Sequence, residues 1–149
     1  MYSRLARQCA MTEYAPADIK QKVLRAGLGN DAAERLVGQL MDEGYVNEER
    51  YVYAFVHDKF ELCHWGRRKI AIALAQKGLR GNMVQSNLAE INEAKYLQVL
   101  GEILRTKNKQ ISAASNQERF QKLLRFAASR GFELPLAYQV VEQMIESED

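Results

Sequence analysis

The chain has 149 residues, of which 47% are apolar, 27% are charged and only two are proline. That apolar content is too high for a disordered chain, and the charge is too high for a membrane protein, with no uncharged apolar run near the ~18 residues of a membrane span. The formal net charge of +2, from 21 Lys+Arg against 19 Asp+Glu, excludes a simple polybasic nucleic-acid binder.

The first residues, MYSRLARQCAMTEY, lack the apolar core of a signal peptide. Cys9 and Cys63 are too few for a disulfide scaffold and lack metal-ligand spacing. The expectation is a protein of a reducing compartment, the cytoplasm.

Strand signals are scarce and helix signals recur along the chain. A first helix is expected over about 3–13. Asp18–Ala26 then places Ile19, Val23 and Leu24 on one face, and Gly27 stands where a left-handed C-cap would sit. Asn30 or Asp31 is expected to cap the next helix, about 31–43, with Glu34 completing a capping box. Leu36, Val37, Leu40 and Met41 form its apolar stripe, and Gly44 ends it. Asn47, Glu48 and Glu49 open a helix over about 48–63, with acids at the positive end of its dipole. Tyr51, Ala54, Phe55, Val56 and Phe60 mark its expected buried side. Trp65–Gly66 makes a turn, and Ile70, Ala73 and Leu74 lead to Lys77–Gly78–Leu79. Further helices are expected over about 82–91, 93–107 and 135–147. Thr106–Asn116 has weak helix signals and reads as a mobile loop. Pro16 and Pro135 both fall near helix starts, where proline is tolerated.

An internal repeat organises these elements. Gly27, Gly78 and Gly131 are 51 and 53 residues apart. Eight residues before each stands Ile19, Ile70 or Leu123, and one residue after each stands Leu28, Leu79 or Phe132. Thirteen residues after each stands Leu40, Ile91 or Met144. KVLRAGL, ALAQKGL and FAASRGF are variants of one helix-to-turn element. The chain therefore reads as all-α: three tandem three-helix repeats over 1–46, 47–91 and 92–149, the last with a loop at about 106–116. Units of about 50 residues bury little core alone, so stacking is expected to give an elongated, curved array of either hand. The repeat core is assigned to Ile19, Leu40, Phe55, Trp65, Ile70, Leu74, Leu123 and Phe132.

Charge is unevenly placed. Residues 50–80 carry seven basic and two acidic side chains, and residues 95–130 carry eight and two. The end reverses sign through Glu142, Glu146, Glu148 and Asp149. A positive face toward a polyanion is one reading and plain solvation is the other. Arg67, Arg68 and Lys69 crowd the start of a helix, where three cations oppose the dipole, and this local cost points to binding. Side chains ~100° apart let at most two of them share a face. Lys77, near the end of the same helix, favours its dipole. Arg119, Lys122, Arg125 and Arg130 belong to the matching helix of the third repeat. The first three are spaced by three, which makes a stripe. Lys20, Lys22 and Arg25 are the counterparts in the first repeat.

Tyr51, Phe55, Phe60 and Trp65 alternate with charge. Stacking on nucleic acid is conceivable, but their spacing favours core packing. His57 and His64 with Cys63 lack further ligands for zinc, and Cys63 lacks a base to activate it. No phosphate loop is present. Neither catalysis, a metal nor a cofactor is expected.

Five segments in order resemble the RecX family of bacterial RecA regulators. They are LARQ, DIKQKVLRAGL, LMDEGYVNEERYVYAFVHDK, WGRRKIAIALAQKGL and KLLRFAASRGF. The chain departs from the family at Tyr14–Ala15–Pro16, where Ser or Thr is frequent, and in extra residues between Lys107 and Asn116. The resemblance implies a non-enzymatic regulatory protein that binds RecA and its filament on single-stranded DNA. It implies inhibition of ATP hydrolysis, filament growth and strand exchange, and a link to homologous recombination, DNA repair and the SOS response. A monomer with weak DNA binding of its own is expected. The competing reading is a helical nucleic-acid-binding module with no RecA dependence.

Overall fold

The computed structural model describes residues 1–148, so Asp149 of the acidic end lies outside the described residues. Among these residues there are nine α-helices and no strand. They are α1 (Tyr2–Met11), α2 (Pro16–Arg25), α3 (Asn30–Asp42), α4 (Glu48–Glu61) and α5 (Arg67–Gln76), followed by α6 (Asn82–Ala89), α7 (Glu93–Gln110), α8 (Asn116–Ser129) and α9 (Leu134–Glu148). The fold is an all-α array of helical repeats.

Local chemistry sets the starts. Asn47 Oδ1 accepts the Arg50 N–H at 2.9 Å, and Asn92 Oδ1 accepts the Lys95 N–H at 2.9 Å. Each satisfies an N–H that the helix itself leaves open. Ser115 caps α8 through the Glu118 N–H at 3.1 Å. The Glu118 carboxylate reaches back to the Ala114 N–H, and that bond, helped by Lys122, holds its pKa below the ordinary value. Pro16 is the first residue of α2, where its missing N–H costs nothing. Gly29, rather than Asn30 or Asp31, takes the N-cap of α3, and no side chain caps that helix.

The ends repeat one device. Leu28, Leu79 and Phe132 donate their N–H groups back to Val23, Leu74 and Ala127, at 3.3, 3.0 and 3.1 Å. The glycine between has a positive φ each time: +92° at Gly27, +78° at Gly78 and +91° at Gly131. This is the paired closing bond that a left-handed residue permits after a helix. The repeated glycines of the sequence are therefore three copies of one helix stop. At the end of α4, His64 takes that place at φ +56°, and Trp65 donates to Lys59 at 2.9 Å.

α7 runs further than local helix signals predict. Thr106–Gln110 are helical, and the connection to α8 is only residues 111–115. Two tertiary ties compensate the weak local propensity. Arg119 of α8 donates to the Asn108 backbone oxygen at 3.0 Å and to its Oδ1 at 2.7 Å. Lys107 and Lys109 in the last turn also complement the dipole.

The buried residues fall into two cores. Leu5, Ala6, Cys9, Ile19, Val23, Ala33, Leu40 and Val46 form one, drawn from α1 to α3 and the turn after α3. A larger core runs without a break from α4 through α9 and holds Ile70, Leu74, Tyr96, Leu100, Leu123 and Phe132. The second and third three-helix groups are thus fused, while the first has a core of its own and contributes Ala15 to the larger one. The accessible area is 9092 Å². A compact monomer of this mass would expose about 7,700 Å², so the array is extended rather than spherical.

Of the eight assigned core residues, Ile19, Leu40, Ile70, Leu74, Leu123 and Phe132 are buried. Phe55 and Trp65 are half-buried and pack against the larger core from its edge rather than within it. The buried stripe of α4 is Tyr51, Val52, Val56 and Phe60, so Val52 rather than Ala54 or Phe55 faces inward. Leu28 departs from its counterparts Leu79 and Phe132, being 41% exposed where they are 3% and 1%.

Polar links join the first group to the second. Lys77 Nζ pairs with Asp18 of α2 at 2.8 Å and sits 5.3 Å from the Tyr51 ring centroid. Burial opposes the Lys77 charge, yet the bonds to Asp18 and Tyr51 outweigh it and raise the Lys77 pKa. Arg50 pairs with Glu13 at 2.9 Å and donates to the Gly44 carbonyl at 2.9 Å. A double-mutant cycle on Lys77→Gln and Asp18→Asn is expected to give a coupling of about 1 kcal/mol, as for a partly exposed pair. Urea unfolding reads it, and zero coupling would show that the link does not hold the two groups together.

Candidate functional site

The basic residues named from the sequence divide into those already held by the fold and those left open. Arg67 is held. Its side chain is 16% exposed and pairs with Glu93 at 2.9 Å and with Glu133 at 3.0 Å. Nε donates to the Leu88 carbonyl at 3.0 Å, and the guanidinium lies 4.0 Å from the Tyr96 ring centroid. Burial works against the charge, and the two carboxylates overcome it, so the Arg67 pKa is raised. Planar, five-donor geometry suits arginine to this node. The crowding of cations at the start of α5, read as a sign of binding, is for Arg67 resolved inside the protein.

Lys77 is held by Asp18, as described. Arg119 ties α8 to the last turn of α7 through Asn108. Lys122 donates to the Ser112 carbonyl at 2.6 Å and pairs with Glu118 at 3.1 Å. The stripe expected along α8 therefore spends half its length closing the 111–115 connection. Arg68 and Arg125 are exposed, and Lys69 and Arg130 are half-exposed. None of these four forms an ion pair among the described residues.

What positions the open cations is a contact between helix ends. The Gly66 N–H donates to the Arg130 carbonyl at 2.7 Å, and the Arg68 N–H to the Gly131 carbonyl at 2.9 Å. The Arg67 N–H donates to the Tyr96 hydroxyl at 3.0 Å. The first N–H groups of α5 are thus satisfied by the last carbonyls of α8, positive dipole end against negative. Both ends must be glycine. A Cβ on Gly66 would lie 2.4 Å from the Gly131 carbonyl carbon, and a Cβ on Gly131 would lie 2.4 Å from the Lys69 Cβ.

Tyr96 is the centre of this junction, and sequence reasoning missed it. Its ring is fully buried, 5.7 Å from Phe60 and 5.0 Å from Phe132, centroid to centroid. Its hydroxyl accepts from Arg67 and donates to Glu133. Burial first, and the Glu133 carboxylate second, push the Tyr96 pKa well above its ordinary value. Glu93 and Glu133 were also missed, since a lone acid at the start of a helix reads as an ordinary dipole partner. The only available signal was that Arg67 needed acids from elsewhere.

Two of the four aromatics weighed for stacking, Tyr51 and Phe60, are core residues, and Tyr51 carries a pKa raised by burial. Phe55 and Trp65, both half-buried, meet edge-to-face at 6.5 Å. Lys59 lies 4.8 Å and Lys69 4.5 Å from the Trp65 ring centroid. Cys9 is buried with a raised pKa, and Cys63 is exposed. No group of three or more His, Cys, Asp or Glu is placed to hold a metal ion among the described residues. No described helix is long and apolar enough to cross a membrane.

Residues 47–86 match the family model described as the second three-helix domain of RecX. The match covers α4, α5 and most of α6, and ends within the fused core. Regulatory protein RecX of Lactobacillus johnsonii is 23% identical over 93% of this chain and 53% of its own length. Its namesake in Mycolicibacterium smegmatis is 24% identical over 89% of this chain and 72% of its own length. Over most of its length the chain is similar to proteins of the RecX family. It spans about half the length of the first curated relatives it matches, including that of Leuconostoc citreum at 47%. Two crystal structures share the fold. One, a regulatory protein RecX, gives a TM-score of 0.85 at 16% identity, over 95% of this chain and 70% of the other. The RecX of Lactobacillus salivarius gives 0.80 at 14% identity, over 95% and 92%. At identities this low the likeness is one of fold.

Proposed function

We propose that this chain is a non-enzymatic regulator that binds RecA and the RecA–DNA filament and inhibits it. The observation that carries the reading is the similarity of the chain, over most of its length, to proteins named regulatory protein RecX. The physical features support it. Four helix-end carbonyls and N–H groups, an arginine node and one continuous core make α4–α9 a single stiff body. A stiff, extended body occupies a long groove without losing much conformational entropy on binding. Blocking addition of the next protomer requires occupancy only, so no catalytic group is called for. Action in the cytoplasm, as a monomer, fits the same reading.

The proposed contact face consists of the unpaired cations Arg68, Lys69, Arg125 and Arg130, facing acidic protein or DNA phosphate. Arg67 is a poor probe of it, because Arg67→Glu would set a third carboxylate against Glu93 and Glu133. Arg68→Glu with Arg125→Glu tests the face without touching the node. Titrating the chain into DNA-dependent ATP hydrolysis by the cognate RecA is expected to give inhibition below one chain per protomer. The double variant, with unchanged helix content, is expected to need about tenfold more protein, the effect of ~1.4 kcal/mol. Hydrolysis unchanged by the wild-type chain would sink the regulator reading.

A further inference from the structure

Ile72 and Leu134 are large aliphatic side chains left 58% and 48% exposed. Both line one open cleft of ≈ 310 Å³ over the α5–α8 junction, with Arg68 and Lys69 at its rim and the buried Phe132 at its floor. No acid lines this cleft among the described residues. Glu133, next to Leu134 in the chain, is engaged by Arg67 instead. The internal repeat shows that the fold does not demand these side chains. Counted from the closing glycine of each repeat, the register of Ile72 holds Gln21 and Arg125 in the other two. The register of Leu134 holds Asn30 and Gly81, and that of Arg68 holds Ala17 and Gln121. Polar or small residues thus serve the same positions in the other repeats, and two aliphatics meet an unpaired arginine at this one junction.

We infer that this cleft takes a large apolar side chain from an acidic segment of the protein partner. The inference rests on the regulator reading and specifies what that partner presents to the cationic face. Exposed aliphatic surface gathered beside charge has the composition of a docking patch rather than of a solvated helix face. Covering Ile72 and Leu134 removes apolar area from water, and the planar Arg68 guanidinium suits a carboxylate beside the anchor through two parallel bonds. The charges are complementary, because Arg68 and Lys69 form no ion pair among the described residues. A phosphate strand would use the cations and leave both aliphatic walls in water. The lining offers it no open ring for stacking, since Phe132 is 1% exposed. A basic segment would set its own cations against Arg68 and Lys69. The hydrogen bonds from Gly66 and Arg68 to the end of α8 hold the two walls together, so the anchor enters a preformed cleft.

Ile72→Gln with Leu134→Asn places in the cleft residues that the other repeats already carry, so helix content by circular dichroism is expected to be unchanged. In DNA-dependent ATP hydrolysis by the cognate RecA, this variant is expected to need about tenfold more protein for half-inhibition, as when an interface anchor is lost. The direct probe is a fluorescein-labelled, glutamate-rich peptide with one central leucine, titrated with the full chain and read by anisotropy. The aliphatic variant, and a peptide with alanine in place of the leucine, are each expected to weaken this binding about tenfold. The affinity of the variant for oligo(dT) is expected to match that of the wild type. Equal binding of the leucine and alanine peptides, or no binding of either, would overturn the cleft. An equal loss of oligo(dT) affinity would assign the walls to nucleic acid and overturn it as well. Wild-type inhibition that the folded variant matches overturns the cleft and keeps the regulator. No inhibition by the wild type, with leucine-selective peptide binding, counts against the regulator and supports the cleft as a site for acidic segments. Should the double variant lose helix content, the two peptides on the wild-type chain decide the matter.

Discussion

Gly131→Ala is expected to destabilise the protein by about 3 kcal/mol, from a left-handed residue penalty of ~1–2 and an overpacking cost of ~1–3. At this chain length the midpoint of thermal unfolding should fall by roughly 6–12 °C. Gly131 has φ +91°, and an added Cβ would stand 2.4 Å from the Lys69 Cβ and 2.5 Å from the Lys69 nitrogen. Neither neighbour is the loose end of a side chain, so relief requires α5 and α8 to separate. Separation lengthens the bonds from Gly66 to Arg130 and from Arg68 to Gly131, and draws Phe132 off the Tyr96 ring. Gly27→Ala is the matched control. Its φ is +92° and an added Cβ meets nothing within 4 Å, so only the conformational cost of about 1–2 kcal/mol applies. Differential scanning calorimetry on both variants isolates the helix-end junction. Equal losses would mean that α5 and α8 do not touch in solution.

The contrast between these glycines also shows what a sequence can carry. Gly27, Gly78 and Gly131 were recognisable as helix stops because the stop is local: one left-handed residue lets the next N–H reach back within a single turn and a half. The order of the helices and most of the buried stripe followed from periodicity for the same reason. Nothing local distinguishes Gly131, which another helix touches, from Gly27, which none does. The same holds for Arg67, Tyr96 and Glu133, which lie 29 to 66 residues apart in their hydrogen bonds. Charge clustering at Arg67–Arg68–Lys69 was visible, but its resolution by acids from α7 and the α8–α9 turn was not. Phe55 and Trp65 reach the core only from its edge. Their spacing fits a buried face, yet the fused core ends beside them, and two lysines cover what the core leaves open. The last residues of α7 depended on Arg119 reaching Asn108 across the connection, which no propensity records.

Arg67→Met is expected to cost about 2–4 kcal/mol, just below the 3–5 typical of breaking a fully buried pair, because Glu93 and Glu133 keep some access to water. Methionine preserves much of the volume over the Tyr96 ring, so the loss is of charge and hydrogen bonds rather than of packing. Three groups are then left without their donor: the Glu93 carboxylate, the Glu133 carboxylate and the Leu88 carbonyl. Glu133 is the most exposed to the loss in energetic terms, since its carboxylate is 29% accessible while that of Glu93 is 58% accessible. The Tyr96 hydroxyl still donates to it, and one neutral hydrogen bond replaces a cation poorly in a half-buried site. Adding Glu133→Gln to Arg67→Met removes the uncompensated charge and keeps an acceptor for Tyr96. The double variant should therefore recover about 1–2 kcal/mol relative to Arg67→Met, a positive coupling typical of residues in one network. Urea titrations of the wild type, both single variants and the double variant close the cycle. Strictly additive losses would show that Arg67 and Glu133 act separately, and the junction would then rest on the two glycines and Tyr96 alone. Because the same junction carries Arg68, Lys69 and Arg130, loosening it should also blur the spacing of the open cations that the proposed partner reads.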